Sequence, residues 1–134
     1  MTTENGLDPK VGFNSPFTAL LGMEVKSCVD GRSEIELPVR KELTQYHGFA
    51  HGVVVGGLVD IVCAWAASSV AGRVVTTEYK VNFLAPAVGE RLIGRGQVVK
   101  ATRRQIVCRG DVYAVQDGRE KLAATGLATL MTVE

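Results

Sequence analysis

The chain has 134 residues, of which 46% are hydrophobic and 22% charged, and its formal net charge of +1 gives no reason to expect a nucleic-acid partner. Its length suits one domain with a buried core, and its three cysteines, which form no CxxC pair, are typical of buried thiols in a reducing compartment. We therefore expect a single cytoplasmic domain over residues 1–134, without a secretory signal, in which residues 1–13 are a loose segment.

The first predicted elements are a short helix and a β-hairpin. Ser15 before a proline is typical of a helix start, and Gly22 ends that helix. Alternating apolar residues then predict two strands, and Asp30-Gly31 between them is a dipeptide favoured in hairpin turns. Residues 40–50 are predicted to form a loop.

A long apolar helix follows, and Asp60 is the only charged residue between positions 52 and 72. A helical projection puts bulkier residues opposite Asp60, at Val55, Leu58, Val62, Trp65 and Ser69. Its own face carries Val53, Gly56, Gly57, Cys63, Ala64 and Ala67. We expect the bulkier face to pack on a sheet and the other face to leave room beside the carboxylate. A central charge would cost about 2.5–3.5 kcal/mol in a membrane, so a buried helix is favoured over a membrane span.

Beyond residue 72 apolar residues recur at every second position, which is the period of β-strands. The first strand is predicted to carry Val75, Thr77, Tyr79, Val81 and Phe83 on one face and Thr76, Glu78, Lys80 and Asn82 on the other. Residues 92–101 and 106–115 then pair, and a turn at Asp117-Gly118 leads into residues 121–133. This order predicts an α+β fold in which a curved antiparallel sheet wraps one long central helix. Apolar residues on both faces of several strands indicate that another subunit covers part of the sheet.

The residue pattern offers three kinds of site. His47 and His51 have a spacing found in zinc sites, but no cysteine or carboxylate lies near them as a third ligand, so no metal is predicted. Cys63 is disfavoured as a nucleophile because a thiolate is unstable deep in an apolar helix. Asp60 is either the ion-pair partner of a basic residue or a reactive carboxylate.

The helix start favours the reactive role for Asp60. The first N–H groups of a helix lack partners inside it and carry a partial positive charge. Gly52 has no side chain to shield its N–H, which makes that group a candidate donor to an oxyanion. The side-chain amide of Gln45 lies a few residues upstream in the predicted loop.

The segments QYHGFAHGVVVGGLVD and VVTTEYKVNFLAPAVGERL resemble the hotdog-fold acyl-CoA thioesterases of the phenylacetate-degradation type, which are related to the 4-hydroxybenzoyl-CoA thioesterases. The resemblance spans residues 15–131, nearly the whole chain. In that family an Asn or Gln, a His-Gly-Gly and an acid recur at the spacing that Gln45, His51-Gly52 and Asp60 have here. After the helix the family typically has a Ser or Thr, an apolar pair and a proline, which Thr76, Phe83-Leu84 and Pro86 match.

The sequence departs from the family pattern at two positions. Val53 replaces the usual second glycine, and we expect its side chain to narrow the mouth of the site. Gln45 replaces the commoner Asn, as it does in the related aryl-CoA thioesterases.

The resemblance implies hydrolysis of an aryl or medium-chain acyl-CoA without a metal or redox cofactor, with CoA entering as part of the substrate. Asp60 would activate water or attack the thioester carbonyl, and the Gly52 N–H would hold the oxyanion. Gln45 would orient the carbonyl or the water, and Thr76 would hydrogen-bond the nucleophile or the carboxylate. His51 would order the loop at the substrate. The family also implies a homodimer, and favours its pairing into a homotetramer.

CoA carries phosphates, so basic residues are expected near the entrance of the site, and Lys100, Arg103 and Arg104 at a strand turn are the candidates. These residues would equally suit a solvated hairpin. Two other functions stay open on the same fold. One is a protein that binds acyl-CoA without turning it over, and the other is an enoyl-CoA hydratase or dehydratase that pairs His47 or His51 with the acid.

Overall fold

The computed structural model of the protein describes residues 15–133, and the loose segment predicted over residues 1–13 lies outside them. The elements are helix α1 (Pro16–Leu21), strands β1 (Glu24–Val29) and β2 (Arg32–Pro38), a 3-10 turn (Lys41–Leu43), helix α2 (Gly52–Ala71), and strands β3 (Val74–Phe83), β4 (Arg91–Ala101), β5 (Gln105–Gln116) and β6 (Arg119–Thr132). This is the predicted order of a short helix, two strands, a long helix and four strands.

The strands form one antiparallel sheet in the order β1-β2-β4-β5-β6-β3. Helix α2 contacts all six strands, so the sheet curves around it. The prediction of one long central helix wrapped by a curved antiparallel sheet is confirmed. By length and composition α2, with 20 residues and a mean hydropathy of 1.9, is apolar enough to cross a membrane, but here it is the core of the domain.

The two predicted tight hairpins are present. Asp30 and Gly31 have φ values of 53° and 77°, and Asp117 and Gly118 have 52° and 78°. Two successive residues with positive φ are the mark of a type I′ turn, whose twist matches that of the flanking strands. These dipeptides therefore set the registers of β1 with β2 and of β5 with β6.

Glycines on the helix-facing side of the sheet let α2 lie directly on the strands. They are Gly94, Gly96, Gly110 and Gly126. A Cβ atom on Gly96 would lie 2.2 Å from the carbonyl oxygen of Val62, and one on Gly110 would lie 2.9 Å from that of Val59. Because any larger residue would collide with the helix backbone at these points, the helix and the sheet approach each other unusually closely.

The predicted division of α2 into a packed face and an open face is partly wrong. Val55, Leu58, Val62 and Ser69 are buried as expected, and Trp65 is half-buried. Cys63 and Ala67, expected on the open face, are fully buried, and Gly56 is buried against Phe83. The sheet curves far enough to cover both flanks of the helix. The strip of α2 that the sheet leaves uncovered is therefore narrower than the predicted open face. It includes Val53, Gly57, Asp60 and Ala64.

A β-bulge in β3 changes which of its side chains face the helix. Strict alternation predicts Thr76 and Val81 on opposite faces, but the register with β6 shifts just after Thr76. Thr76 pairs with Leu130 and Val81 pairs with Gly126, and both partners lie against α2. Thr76 therefore faces the helix together with Val81, and the alternation expected from the sequence is wrong at this point.

Gly96→Ala should destabilise the fold strongly, because the added methyl group would lie 2.2 Å from the Val62 carbonyl oxygen. We expect the free energy of unfolding to fall by about 3 kcal/mol, the upper end of the usual cost of overpacking. Gly56→Ala is the matched control, since a Cβ atom there would be 3.7 Å from the Phe83 ring, an ordinary contact. Urea unfolding measures both variants, and equal stabilities would contradict the close contact between helix and sheet.

Candidate functional site

Asp60 and Thr76 come together at the edge of the uncovered strip of α2. The Thr76 hydroxyl donates a hydrogen bond of 2.6 Å to Oδ1 of Asp60. The contact depends on the bulge, which turns Thr76 toward the helix. Both residues are half-buried, so solvent or a ligand can reach the carboxylate. Of the four residues predicted to take part in catalysis, Asp60 and Thr76 meet within one chain.

The Asp60 carboxylate has no cation beside it in the part of the chain that the structure describes. The ion pairs there join other residues, mainly on the outer face of the sheet, where Arg95 binds both Glu34 and Glu120. Thr76 supplies the hydrogen bond to Oδ1, and across residues 15–133 no donor bonds Oδ2. Asp60 is thus held in place by one hydroxyl and keeps one oxygen atom free. No contact within residues 15–133 supports the alternative of a purely ion-paired Asp60.

The residues one helical turn on either side of Asp60 are small. They are Gly57 and Ala64, and both lie on the uncovered strip. A Cβ atom on Gly57 would have no atom within 4 Å, whereas one on Gly56 would touch the Phe83 ring. The two adjacent glycines therefore differ, since Gly56 serves packing and Gly57 leaves open space near the carboxylate. The open space at Gly57 agrees with the room expected beside the carboxylate, whereas the packing of Gly56 against Phe83 was not expected.

The start of α2 presents a free backbone donor. His51 is the N-cap residue, and its Nδ1 accepts a hydrogen bond of 3.0 Å from the Val53 N–H. The Gly52 N–H has no acceptor among residues 15–133, and Gly52 is exposed. Val53 beside it is 73% exposed and points away from the core. A group that accepts a hydrogen bond can therefore reach the Gly52 N–H at the positive end of the helix.

Gln45 lies at the base of the loop that leads into α2. Thr44 and Ala50 pair across the loop, and the Gln45 N–H bonds to the Phe49 carbonyl at 3.0 Å. The side-chain Oε1 of Gln45 accepts a hydrogen bond from the His47 N–H. This contact leaves the side-chain NH2 group as a donor that no acceptor in the described chain uses. Gln45 therefore brings a second donor to the end of the helix where Gly52 lies.

A cavity of about 410 Å³ opens beside the helix start. The residues that line it carry no polar side chain: Phe49, Ala50, Gly52, Val55, Phe83, Leu84, Ala85, Pro86 and Ala87. The Phe83 ring forms one wall along the first turn of α2, because a Cβ atom on Gly52 would lie 3.6 Å from its Cζ. The cavity therefore adjoins the free Gly52 backbone. Phe83 was expected only as part of a motif, and its place in the cavity wall emerges from the fold.

The two halves of the predicted site do not meet within one chain. Gly52 and Asp60 both belong to α2. Eight residues separate them along the helix. At 1.5 Å per residue their separation is about 12 Å. Reacting groups need to come within about 3–3.5 Å. Within one chain, the donors at the helix start and the carboxylate in the middle of the helix are therefore too far apart to act on one substrate group.

The basic residues predicted to contact phosphates lie on the Asp60 half of the sheet. Ala101 precedes the turn that holds Arg103 and Arg104. Across the sheet Ala101 pairs with Ile106, which pairs with Leu130, and Leu130 pairs with Thr76. Three strand spacings of about 4.8 Å separate the two positions, or about 14 Å. Lys100, Arg103 and Arg104 are exposed and take part in none of the ion pairs found within residues 15–133.

A second cavity, of about 780 Å³, shares Pro86 with the apolar one. Its lining includes Arg119 and Lys121 together with Asp117 and Glu120. These two cations lie on the other end of the sheet from Arg103, at the start of β6. They were not singled out from the sequence, because an exposed hairpin with mixed charges carries no distinctive pattern.

Neither a metal site nor a cysteine nucleophile is apparent in the described chain. Within residues 15–133 no group of three His, Cys, Asp or Glu side chains is arranged to hold a metal ion. Burial raises the pKa of the Cys63 thiol far above its ordinary value, and it raises the pKa of Cys108 to about 12 and of Cys28 to about 11. All three thiols are therefore protonated near neutral pH and poor nucleophiles.

Comparison with known proteins gives a consistent picture. Residues 47–121 match the family described as the thioesterase superfamily. A candidate esterase from Saccharolobus solfataricus is 32% identical over 111 residues, which cover 81% of this chain and 77% of that protein. A thioesterase family protein from Silicibacter pomeroyi superposes with a TM-score of 0.88 at 41% identity, covering 91% of this chain and 93% of the other. A mutant of the phenylacetic acid degradation protein PaaI from Thermus thermophilus superposes with a TM-score of 0.78 at 28% identity, covering 89% of this chain and 100% of the other.

Proposed function

The chain belongs to the thioesterase superfamily and has its hotdog fold, and we propose that it hydrolyses acyl-CoA thioesters to a free acid and CoA. The observation that carries the proposal is a half-buried carboxylate, Asp60, held by a hydroxyl and without a cation among the described residues. A carboxylate in an apolar helix is costly unless it is paired or used, and no cation within residues 15–133 pairs with it. The superfamily supports a hydrolase in general, and the acyl-CoA substrate is our proposal.

Asp60 supplies the reactive group in this proposal. Its Oδ1 is fixed by the Thr76 hydroxyl at 2.6 Å, which leaves Oδ2 to take a proton from water or to attack the carbonyl carbon. Thr76 is a positioning residue, because it sets the direction of the carboxylate. The small Gly57 leaves the space through which the thioester would approach.

Gly52 and Gln45 stabilise the oxyanion in this proposal. As the thioester carbonyl is attacked, negative charge develops on its oxygen, and preorganised donors stabilise that charge. The Gly52 N–H is free at the positive end of α2. The Gln45 Oε1 is already occupied by the loop, so its NH2 group would face the carbonyl or the water. His51 acts indirectly by capping the helix, and Val53 narrows the approach to Gly52.

Two copies of the chain would build each site. The start and the middle of one helix are about 12 Å apart, whereas two antiparallel helices related by a two-fold axis would bring the start of one beside the middle of the other. We therefore propose a homodimer in which Gly52 and Gln45 of one chain meet Asp60 of its partner. Exposed apolar side chains on the outer face of the sheet, such as Val75 and Leu127, support further pairing into a tetramer.

Lys100, Arg103 and Arg104 remain our candidates for the CoA phosphates. The sheet register puts them on the half of the chain that contributes Asp60, about 14 Å across the strands from Thr76. Arg119 and Lys121, near the apolar cavity, are the competing pair. We also propose a cytoplasmic location, because Cys28, Cys63 and Cys108 are all free thiols.

Two other functions compete with hydrolysis. A protein that only binds acyl-CoA would share the cavity but would not need a half-buried carboxylate beside open space. A hydratase or dehydratase would need a histidine that exchanges a proton beside Asp60. The proposed dimer would bring His51 of one chain near Asp60 of the other, but the Nδ1 of His51 already accepts the Val53 N–H as the helix cap. His47 is farther upstream, in the exposed loop.

Asp60→Asn tests the reactive role directly. The amide keeps the volume but cannot act as base or nucleophile, so turnover should fall at least about a hundredfold. Folding should survive because an amide is cheaper to bury than a carboxylate. Asp30→Asn is the control, since Asn suits the same type I′ turn. Thiol release from a panel of acyl-CoAs measures both, and near-wild-type turnover by folded Asp60→Asn would make Asp60 structural.

The phosphate contacts are tested with paired double variants. Arg103→Ala/Arg104→Ala should raise KM for an acyl-CoA but not for the acyl-pantetheine thioester, which lacks the nucleotide phosphates. Arg119→Ala/Lys121→Ala removes the same number of positive charges and is the matched control. If only the second pair shows the CoA-specific rise, the phosphates bind at the larger cavity and our assignment is wrong.

The shared site is tested by mixing two inactive variants. Gln45→Ala and Asp60→Asn are unfolded and refolded together, so that a heterodimer contains one intact site with Gln45 from one chain and Asp60 from the other. Random pairing should restore about a quarter of the wild-type activity, given two equivalent sites per symmetric dimer. Heterodimers shown to be present but inactive would mean that each site is built within one chain.

A further inference from the structure

We propose that Thr77 is a second positioning residue of the site, which acts on Asp60 through Thr76. Its hydroxyl holds the bulge of β3 in the register that turns Thr76 toward the carboxylate. The inference rests on the proposed hydrolysis at Asp60, and it adds a residue outside the site that keeps the site assembled.

Thr77 is the extra residue of the bulge in β3. Thr76, just before it, pairs with Leu130 of β6. Glu78, just after it, pairs with Thr129, which is the neighbour of Leu130 along β6. Two steps along β3 therefore match one step along β6, and Thr77 has no residue opposite it. The residue that takes this extra place decides which side chain of β3 lies opposite Leu130.

Two consecutive threonines compete for the position opposite Leu130. Tyr79 and Val81 pair with residues of β6 that lie against α2. Regular alternation would continue this helix-facing row to Thr77. A strand without the bulge would therefore place Thr77 opposite Leu130 and turn Thr76 to the outer face. Because both residues are threonines, β-propensity does not choose between the two registers.

The hydrogen bonds of the two hydroxyl groups distinguish the registers. In the bulged register the Thr77 hydroxyl donates to the Thr129 carbonyl at 3.1 Å. In the same register the Thr76 hydroxyl donates to Oδ1 of Asp60 at 2.6 Å. The regular register would break both bonds, since each hydroxyl would change to the other face of the sheet. The bond made by Thr77 therefore stabilises the register on which the bond to Asp60 depends.

The place of β3 in the sheet makes this side-chain bond important. Strand β3 is an edge strand, and β6 is its one neighbour within the described chain. The extra residues of two other bulges are Val99 in β4 and Ala123 in β6, and both of these strands have a neighbour on each side. Their side chains form no hydrogen bonds. The register of β3 is held from one side only, and a hydroxyl at the extra residue adds a bond that the backbone does not supply.

Thr77→Val tests the positioning role. Valine lacks the donor and suits the helix-facing row, so the bulge loses its advantage over the regular register. We expect kcat to fall about tenfold, the usual effect of losing a hydrogen bond to a charged group. KM should change much less, because Thr77 touches no substrate. Thr77→Ser keeps the hydroxyl, so it is the matched control and should retain the wild-type kcat.

A double variant tests whether Thr77 acts through Thr76. Thr76→Val removes the hydroxyl beside Asp60 directly, so adding Thr77→Val should lower kcat by no more than about twofold further. Losses that multiply would mean that Thr77 acts by another route, and they would overturn the inference. Urea unfolding accompanies the kinetics. A folded Thr77→Val variant that is less stable but has the wild-type kcat would make Thr77 purely structural.

NMR spectroscopy separates this inference from the proposed hydrolysis. Cross-strand contacts between Glu78 and Thr129 report the register, and the carboxyl 13C shift of Asp60 reports its hydrogen bond. Thr77→Val should change both signals, and Thr77→Ser should change neither. If the wild-type protein hydrolyses no acyl-CoA, hydrolysis fails and these spectra decide on Thr77 alone. Unchanged spectra in Thr77→Val would overturn the positioning role and leave hydrolysis standing.

Discussion

The close contact between α2 and the sheet is the constraint on which the rest of the structure depends. At Gly96 the strand backbone approaches the Val62 carbonyl so closely that no side chain fits between them. The Ser33 hydroxyl donates a hydrogen bond of 2.6 Å to the same carbonyl, which ties β2 to the helix at that point. A helix held at this distance cannot rotate or slide without collisions. Its uncovered strip therefore has a fixed direction, and Asp60 has a fixed place at the edge of that strip.

The distribution of charge follows from this arrangement. The charged side chains of the sheet lie on its outer face, where Arg95 binds Glu34 and Glu120 and stacks over the Tyr113 ring at 4.8 Å. These contacts hold the pKa of Glu120 below its ordinary value, mainly through its hydrogen bond to Arg95. On the helix side, Asp60 has the Thr76 hydroxyl as its partner, and the described part of the chain offers it no cation. A carboxylate without a neutralising partner keeps its reactivity, which is why we propose this one, and not the acids of the outer face, as the reactive group.

The geometry of a single helix is the reason we propose a site built from two chains. A helix offers its best anion-binding groups at its first turn, whereas a carboxylate in its middle faces sideways. The rise of the helix separates these features by a distance that no side-chain movement closes. A second copy of the chain, with its helix running in the opposite direction, would bridge this distance without a change in either fold. The small residues around Asp60 and the exposed apolar side chains on the sheet are the features that such an assembly would use.

The sequence alone determined the element order and the two type I′ hairpins, because these depend on the apolar period and on turn dipeptides. One charge in an apolar run also singled out Asp60, whose reactive role stays a prediction. The motif around Gln45, His51 and Gly52 also pointed correctly to the family. Local patterns did not determine how far the sheet curves, so Cys63 and Ala67 were expected on an open face. They did not reveal the bulge that turns Thr76 toward Asp60, because an extra residue in one strand depends on the register with its neighbour. The cavity beside Gly52 likewise exists only where β3 crosses the helix start, so the contribution of Phe83 was decided by the tertiary structure.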